Sequence, residues 1–347
     1  MANSHSVYYR LVSLVCLLAS ASNAAQLGAE ELKLNFASLP ETGRAEFVPG
    51  MGERKTPQPF RLKQHEFEYQ AKEYIVQDSV KVFKVTFPSP VRTDIEVNNT
   101  VHGEYFLPAG EGPFPGVIVL HILGGEFPLS ELVANSLAQK GVAALFLKMP
   151  YYGERRDKNS RRRMISQDPD EIISGMTQGV LDIRRGAAWL RSRPEIDPDR
   201  LGVTGISLGG IMSALSAPAE PSFKKVAIYL GGGNLPELLW ERDDPKVDQF
   251  RRDWIMRGGS KQSFLNKMGV IDPARYGKLL SDRDVLMVAA KHDEIIPPAA
   301  TNALWNSIGT KPELIWLDSG HITAARYIFG ELVRLQMFFN DWQPDEK

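Results

Sequence analysis

From residue 113 onward, short apolar runs alternate with longer segments in which apolar residues recur every three or four positions. Gly116–Leu120 and Val142–Leu147 carry no polar side chain, which suits strands buried on both faces. Ser130–Gln139 reads as a helix closed by Gly141. Pro169–Ser192 reads as a long amphipathic helix, with Asp168 as N-cap and Pro169 at the first helical position. Leu201–Thr204, Lys225–Leu230, Val285–Ala290 and Glu313–Leu317 continue the strands, and Ile211–Ser216 and Ala324–Phe339 the helices. This alternation predicts an α/β fold, a mostly parallel central sheet with helices on both faces. Such a sheet binds its ligand at the carboxyl ends of its strands, so the residues just past each strand carry the most information.

Upstream the pattern differs. Val80–Phe87 and Thr100–Leu107 are rich in β-branched and aromatic residues, as a hairpin or edge pair would be. Residues 25–64 are weakly periodic and broken by prolines and glycines, so they are expected to form an arm draped on a domain spanning 65–347. Leu235–Arg283 is longer than a strand connection needs and carries Trp240, Phe250, Trp254 and Phe264. It suits either a lid over the site, with Trp240 facing substrate, or a helical excursion that buries its own aromatics.

The amino terminus adds a destination. Arg10 precedes the short apolar run Leu11–Leu18, and Ser22 and Ala24 occupy the −3 and −1 positions of a cleavage point. That order is the signature of a secretory signal peptide over residues 1–24. A bilayer span needs about 20 apolar residues, so no stable membrane span is expected. Cys16 is the only cysteine among 347 residues, so the exported chain should contain none. A disulfide framework and a zinc site built from several thiolates are thereby excluded. With 41 basic and 42 acidic side chains the chain lacks the basic excess of a nucleic-acid binder. No metal-ligand spacing or nucleotide-binding glycine fingerprint is present, and no cofactor is expected.

The strongest chemical signal follows the strand Leu201–Thr204, at Gly205-Ile206-Ser207-Leu208-Gly209-Gly210. A serine with glycines at −2 and +2, between strand and helix, forms a nucleophile elbow. The turn is so tight that side chains at those positions would strike the neighbouring strand and helix. Ser207 is the expected nucleophile, and the Leu208 N–H at the helix N-terminus an oxyanion donor. The base should be His321, which follows the last strand within Asp318-Ser319-Gly320-His321. The orienting acid should be Asp293, just past Val285–Ala290, with Glu294 as fallback and Asp318 too close to His321 in sequence to be preferred. His292 reads as a neighbour of that acid, and His121 as a buried structural residue. A second oxyanion donor is expected from His121-Ile122-Leu123-Gly124-Gly125, as the N–H of either Ile122 or Leu123.

The stretch Glu195–Gly210, with the serine–acid–histidine order, resembles the α/β-hydrolase superfamily. It is most similar to the branch holding dienelactone hydrolases, acetyl xylan esterases and prolyl-oligopeptidase catalytic domains. Pro150-Tyr151-Tyr152-Gly153 resembles that branch's loop beside the active site, making Tyr151 and Tyr152 candidate substrate-facing residues. The resemblance covers about residues 100–343 and is specific to superfamily level. It departs from dienelactone hydrolases at the nucleophile, cysteine there and Ser207 here, which favours carboxylic esters over lactones. The resemblance implies a serine hydrolase of a small-molecule or carbohydrate ester, and the leader implies that it is exported. The alternatives are a serine peptidase acting on short peptides, or a non-catalytic binding protein on the same fold. A basic cluster, Arg155, Arg156, Lys158, Arg161, Arg162 and Arg163, follows the strand at Val142–Leu147. It suits either a solvated loop or a surface facing an anionic substrate such as a uronate.

Overall fold

The computed structural model describes Phe36 and residues 39–342 except Asp78 and Glu126. The expected leader 1–24, Cys16 and most of 25–38 lie outside the described residues. Ten strands form one sheet: β1 (Thr42–Phe47), β2 (His65–Gln77), β3 (Val80–Pro88), β4 (Thr100–Pro108), β5 (Phe114–Leu120), β6 (Ala143–Lys148), β7 (Ile196–Ile206), β8 (Phe223–Tyr229), β9 (Asp284–Ala290) and β10 (Glu313–Leu317). Their order is β1-β2-β3-β4-β6-β5-β7-β8-β9-β10. β1 to β4 pair antiparallel and β4 joins β6 antiparallel. From β6 through β5, β7, β8 and β9 to β10 every pairing is parallel. The helices are α1 (Phe127–Ala138), α2 (Pro169–Arg191), α3 (Leu208–Ser216), α4 (Leu235–Glu241), α5 (Pro245–Met256), α6 (Lys261–Met268), α7 (Pro298–Ser307) and α8 (Ile328–Asn340).

The period of two along each central strand feeds two cores. In β5, Val117 and Val119 face one layer and Ile118 and Leu120 the other. The first layer is closed by α1 and α8, through Val133, Leu137, Leu332, Leu335 and Phe339. The second is closed by α2, α3 and α7, through Val180, Trp189, Met212, Leu215 and Leu304. α2 starts where its cap predicts, the Asp168 carboxylate accepting from the Asp170 N–H at 2.9 Å. The last helix opens differently: Thr323–Tyr327 is a 3-10 stretch and α-helix begins at Ile328.

Within the expected arm, residues 42–47 form an edge strand of the sheet and residues 51–54 and 58–60 form 3-10 turns. β1 pairs with β2 from Thr42↔Gln70 to Phe47↔His65, and Phe60 is fully buried. The buried Arg184 on α2 reaches Glu53 Oε2 at 2.5 Å and Glu220 Oε2 at 3.2 Å, tying this segment to the helix layer. β1 escapes sequence reading because only Ala45 and Phe47 of its six residues are buried. In the 235–283 segment the aromatics pack on one another. Trp240 lies 5.1 Å from Phe264, and Phe250 lies 5.5 Å from Phe264 and 5.8 Å from Trp254, ring centre to ring centre.

Candidate active site

Because β5 to β10 run parallel, their carboxyl ends share one edge of the sheet, and the sequence-predicted residues gather there. Ile122 and Leu123 follow β5, Tyr151 and Tyr152 follow β6, Ser207 follows β7, Asp293 follows β9 and His321 follows β10.

Ser207 sits at φ 57°, ψ −114°, in a region that costs a non-glycine residue roughly 1–3 kcal/mol. Its neighbours make that turn possible. A Cβ on Gly205 would lie 2.5 Å from the Gly209 carbonyl carbon, and one on Gly209 would lie 2.3 Å from the Leu120 oxygen. The Ser207 N–H donates to the Tyr229 carbonyl at 2.9 Å, anchoring the elbow on β8. The Ser207 Oγ is 2.8 Å from His321 Nε2, and His321 Nδ1 is 2.7 Å from Asp293 Oδ2. The other Asp293 oxygen accepts the N–H groups of Ile295 at 2.8 Å and Ile296 at 2.7 Å. Both carboxylate oxygens are thus occupied, and Asp293 is buried. The fallback acids are used elsewhere. Glu294 accepts the backbone N–H of His321 at 3.2 Å, and Asp318 pairs at the surface with His292 at 3.2 Å.

The turn after β5 hangs on His121. The Met149 N–H donates to its Nε2 at 3.0 Å, so Nδ1 carries the proton and donates to the Ile122 carbonyl at 2.8 Å. Burial, with Arg155 and Lys148 nearby, pushes the His121 imidazole down to about 4, so it stays neutral. The Ile122 carbonyl also accepts the Gly125 N–H at 3.4 Å. A planar trans peptide aims the following N–H, that of Leu123, away from this carbonyl. Ile122 is buried whereas Leu123 is exposed. The Tyr152 ring packs against His121 at 4.6 Å, and burial pushes its hydroxyl up to about 12 while a backbone hydrogen bond at Gly124 opposes the shift.

The remaining candidates are placed less directly. Tyr151 has φ 67° and a buried ring, and its N–H donates to the Asn98 side chain at 3.0 Å. Trp240 is buried against Phe264 inside the 235–283 segment. Asn98 itself was not legible as a site residue. It reads as a turn residue, yet it is fully buried and its carbonyl also accepts from Arg155 Nη2 at 2.9 Å. Among the described residues no group of three or more His, Cys, Asp or Glu side chains is placed to hold a metal ion. Among them no helix is long and apolar enough to cross a membrane.

Comparison with known proteins agrees with this fold. Residues 126–231 match the family described as Alpha/beta hydrolase domain containing 18. An uncharacterized protein of Mycobacterium tuberculosis is 28% identical over 156 residues, 45% of this chain and 36% of that protein. A putative carboxymethylenebutenolidase of Methylorubrum extorquens is 29% identical over 127 residues, 36% of this chain and 43% of its own length. The chain therefore spans less than half the length of these relatives. Acetyl xylan esterase 1 from Thermoanaerobacterium superposes with a TM-score of 0.59 at 23% identity, covering 78% of this chain and 86% of the esterase. Sheet order, elbow geometry and these likenesses together show that the chain has the α/β-hydrolase fold.

Proposed function

We propose that this protein is an exported serine hydrolase that cleaves a carboxylic ester through an acyl-enzyme intermediate. One observation carries the chemistry: the unbroken relay from Ser207 Oγ through His321 to an Asp293 carboxylate whose second oxygen is already satisfied. Ser207 Oγ attacks the ester carbonyl as His321 Nε2 takes its proton. Asp293 holds the imidazole in the tautomer that leaves Nε2 free to accept, and stabilises the imidazolium that forms. The N–H groups of Leu208 and Leu123 hold the tetrahedral oxyanion, each such donor being worth roughly 10²–10³ in rate. Leu123 is favoured over Ile122 because the Ile122 carbonyl is drawn inward by His121. The oxyanion collapses, the alcohol leaves with the proton from His321, and water activated by the same imidazole releases the acid. Every group named belongs to the chain, so the reaction proceeds without a cofactor, and the partner is a small-molecule or carbohydrate ester rather than a nucleic acid. Export rests on the leader 1–24.

A fluorophosphonate that esterifies activated serines tests the proposal. The folded protein should label at Ser207 and lose labelling on Ser207→Ala; labelling that survives this substitution overturns it. Nitrophenyl esters compared with aminoacyl anilides separate esterase from peptidase, and faster anilide turnover would favour the peptidase.

A further inference from the structure

The connection between β6 and α2 carries Arg155, Arg156, Lys158, Arg161, Arg162 and Arg163, and the structure sorts them into two groups. Arg155 is fully buried and donates to Asp182 at 2.8 Å. Arg162 pairs with Glu171 at 3.0 Å and lies over the Tyr151 ring. Those two hold the fold. Three acids are already engaged: Glu154 pairs with Lys148 at 2.8 Å, and Asp182 and Glu171 are used as above. Among the described residues, Arg156, Lys158, Arg161 and Arg163 have no acidic partner, against the single Asp157, which accepts the Asn159 N–H at 2.8 Å.

This surplus of positive charge sits at the candidate site, not at a remote face. β6 lies beside β5, which lies beside β7, all parallel, so the connection leaves the sheet at the same edge as Ser207. The Tyr152 ring touches His121, and a Cβ on Gly125 would lie 2.9 Å from that ring, so Tyr152 packs directly on the oxyanion turn. Arg156 and Arg163 stand near enough to the Tyr152 hydroxyl for their charge to favour its ionised form. The connection is also held at both ends. Arg155 anchors its start, and the fully buried Met164 anchors its end against Gly175, where a Cβ would lie 3.0 Å from the Met164 Cα. Arg163 is steadied by Nη1 donating to the carbonyls of Ser160 at 2.9 Å and Arg162 at 2.7 Å. A guanidinium fixed as that of Arg163 is, with Arg156 exposed beside it, suits a planar carboxylate better than a mobile ammonium group would.

We propose that Arg156 and Arg163 form an anion subsite beside the Ser207 elbow that selects esters bearing an ionised carboxylate. The proposal rests on the hydrolase function above and specifies the substrate class of that same site. Two matched ester pairs test it. 4-Acetoxybenzoate against its methyl ester places the charge on the alcohol side, and mono(4-nitrophenyl) glutarate against 4-nitrophenyl valerate places it on the acyl side. At low salt kcat/KM for the anionic member of at least one pair should exceed its neutral partner by about tenfold or more, and the ratio should fall as salt screens the charge. The double variant Arg156→Gln, Arg163→Gln should erase that preference, mainly by raising KM for the anionic ester, while the neutral ester changes by less than about twofold. Arg44→Gln, on the far strand β1, removes the same unit charge per site and should leave the preference intact. Parity within both pairs overturns the subsite, as does an equal loss for neutral and anionic esters or an effect reproduced by Arg44→Gln. No turnover of any of the four esters, with no fluorophosphonate labelling, is a different failure: it removes the hydrolase function itself, and the subsite with it.

Discussion

The imidazole of His121 donates to the carbonyl of the residue that follows it, Ile122, with Nδ1 2.8 Å from the oxygen. A neutral ring is required, because its other nitrogen accepts the Met149 N–H. A charged ring would face that N–H with a donor of its own.

Acid should therefore loosen this turn. The His121 pKa is pushed down to about 4 in the folded protein, against about 6.5 unfolded. Between those values the unfolded chain binds a proton that the folded chain does not, so stability falls as pH drops from about 6.5 toward 4. The limit is about 3 kcal/mol if the full shift is realised. Urea unfolding at pH 7 and pH 5 measures the slope, and His121→Gln should flatten it. An unchanged slope in that variant would assign the acid sensitivity to other groups.

Asp293→Asn should leave the fold standing and remove activity. The asparagine oxygen can still accept the Ile295 and Ile296 N–H groups, but its amide would turn a donor toward His321 Nδ1. The ring would then carry its proton on Nε2 and could not take the proton of Ser207. A loss of about 10⁴ in kcat is expected, with a small change in Tm. Steady-state kinetics and thermal unfolding on the same sample check this.

Trp240→Ala should act on stability. The ring is buried on Phe264 within an aromatic cluster that also holds Phe250 and Trp254. Truncation should cost about 3–5 kcal/mol, with kcat/KM of the folded fraction within a few-fold of the parent. A large rise in KM without a fall in Tm would instead make Trp240 a substrate contact.

Arg184→Met should detach the amino-terminal segment. It leaves the carboxylates of Glu53 and Glu220 without their shared guanidinium, a loss of about 3–5 kcal/mol for a broken buried pair. Limited proteolysis should then cut before residue 65 faster than in the parent.

The middle of the parallel half was legible because β5, β6 and β9 are almost uninterrupted apolar runs, the pattern of strands buried on both faces. Val285–Ala290 and Glu313–Leu317 were found within a residue of their observed ends. β1 and most of β2 were not, because they face the core with alternate residues only and β2 ends in a wholly exposed stretch. The elbow was legible for a steric reason that sequence carries directly: only glycine fits at 205 and 209. Asn98 was illegible, since a buried asparagine that ties two loops and a turn asparagine are the same letter.

What the sequence determined by itself were features set by local rules: the strand–helix alternation, the cap at Asp168, the glycine-flanked Ser207, and residues past strand ends as the ones to inspect. Tertiary structure decided what depends on pairing across long sequence separations. The spacing of 28 residues between Asp293 and His321 and 114 between Ser207 and His321 says nothing about contact until the parallel order of β7, β8, β9 and β10 brings three loops to one edge. The same holds for the basic cluster, whose free and spent charges differ only in which acids lie within 4 Å.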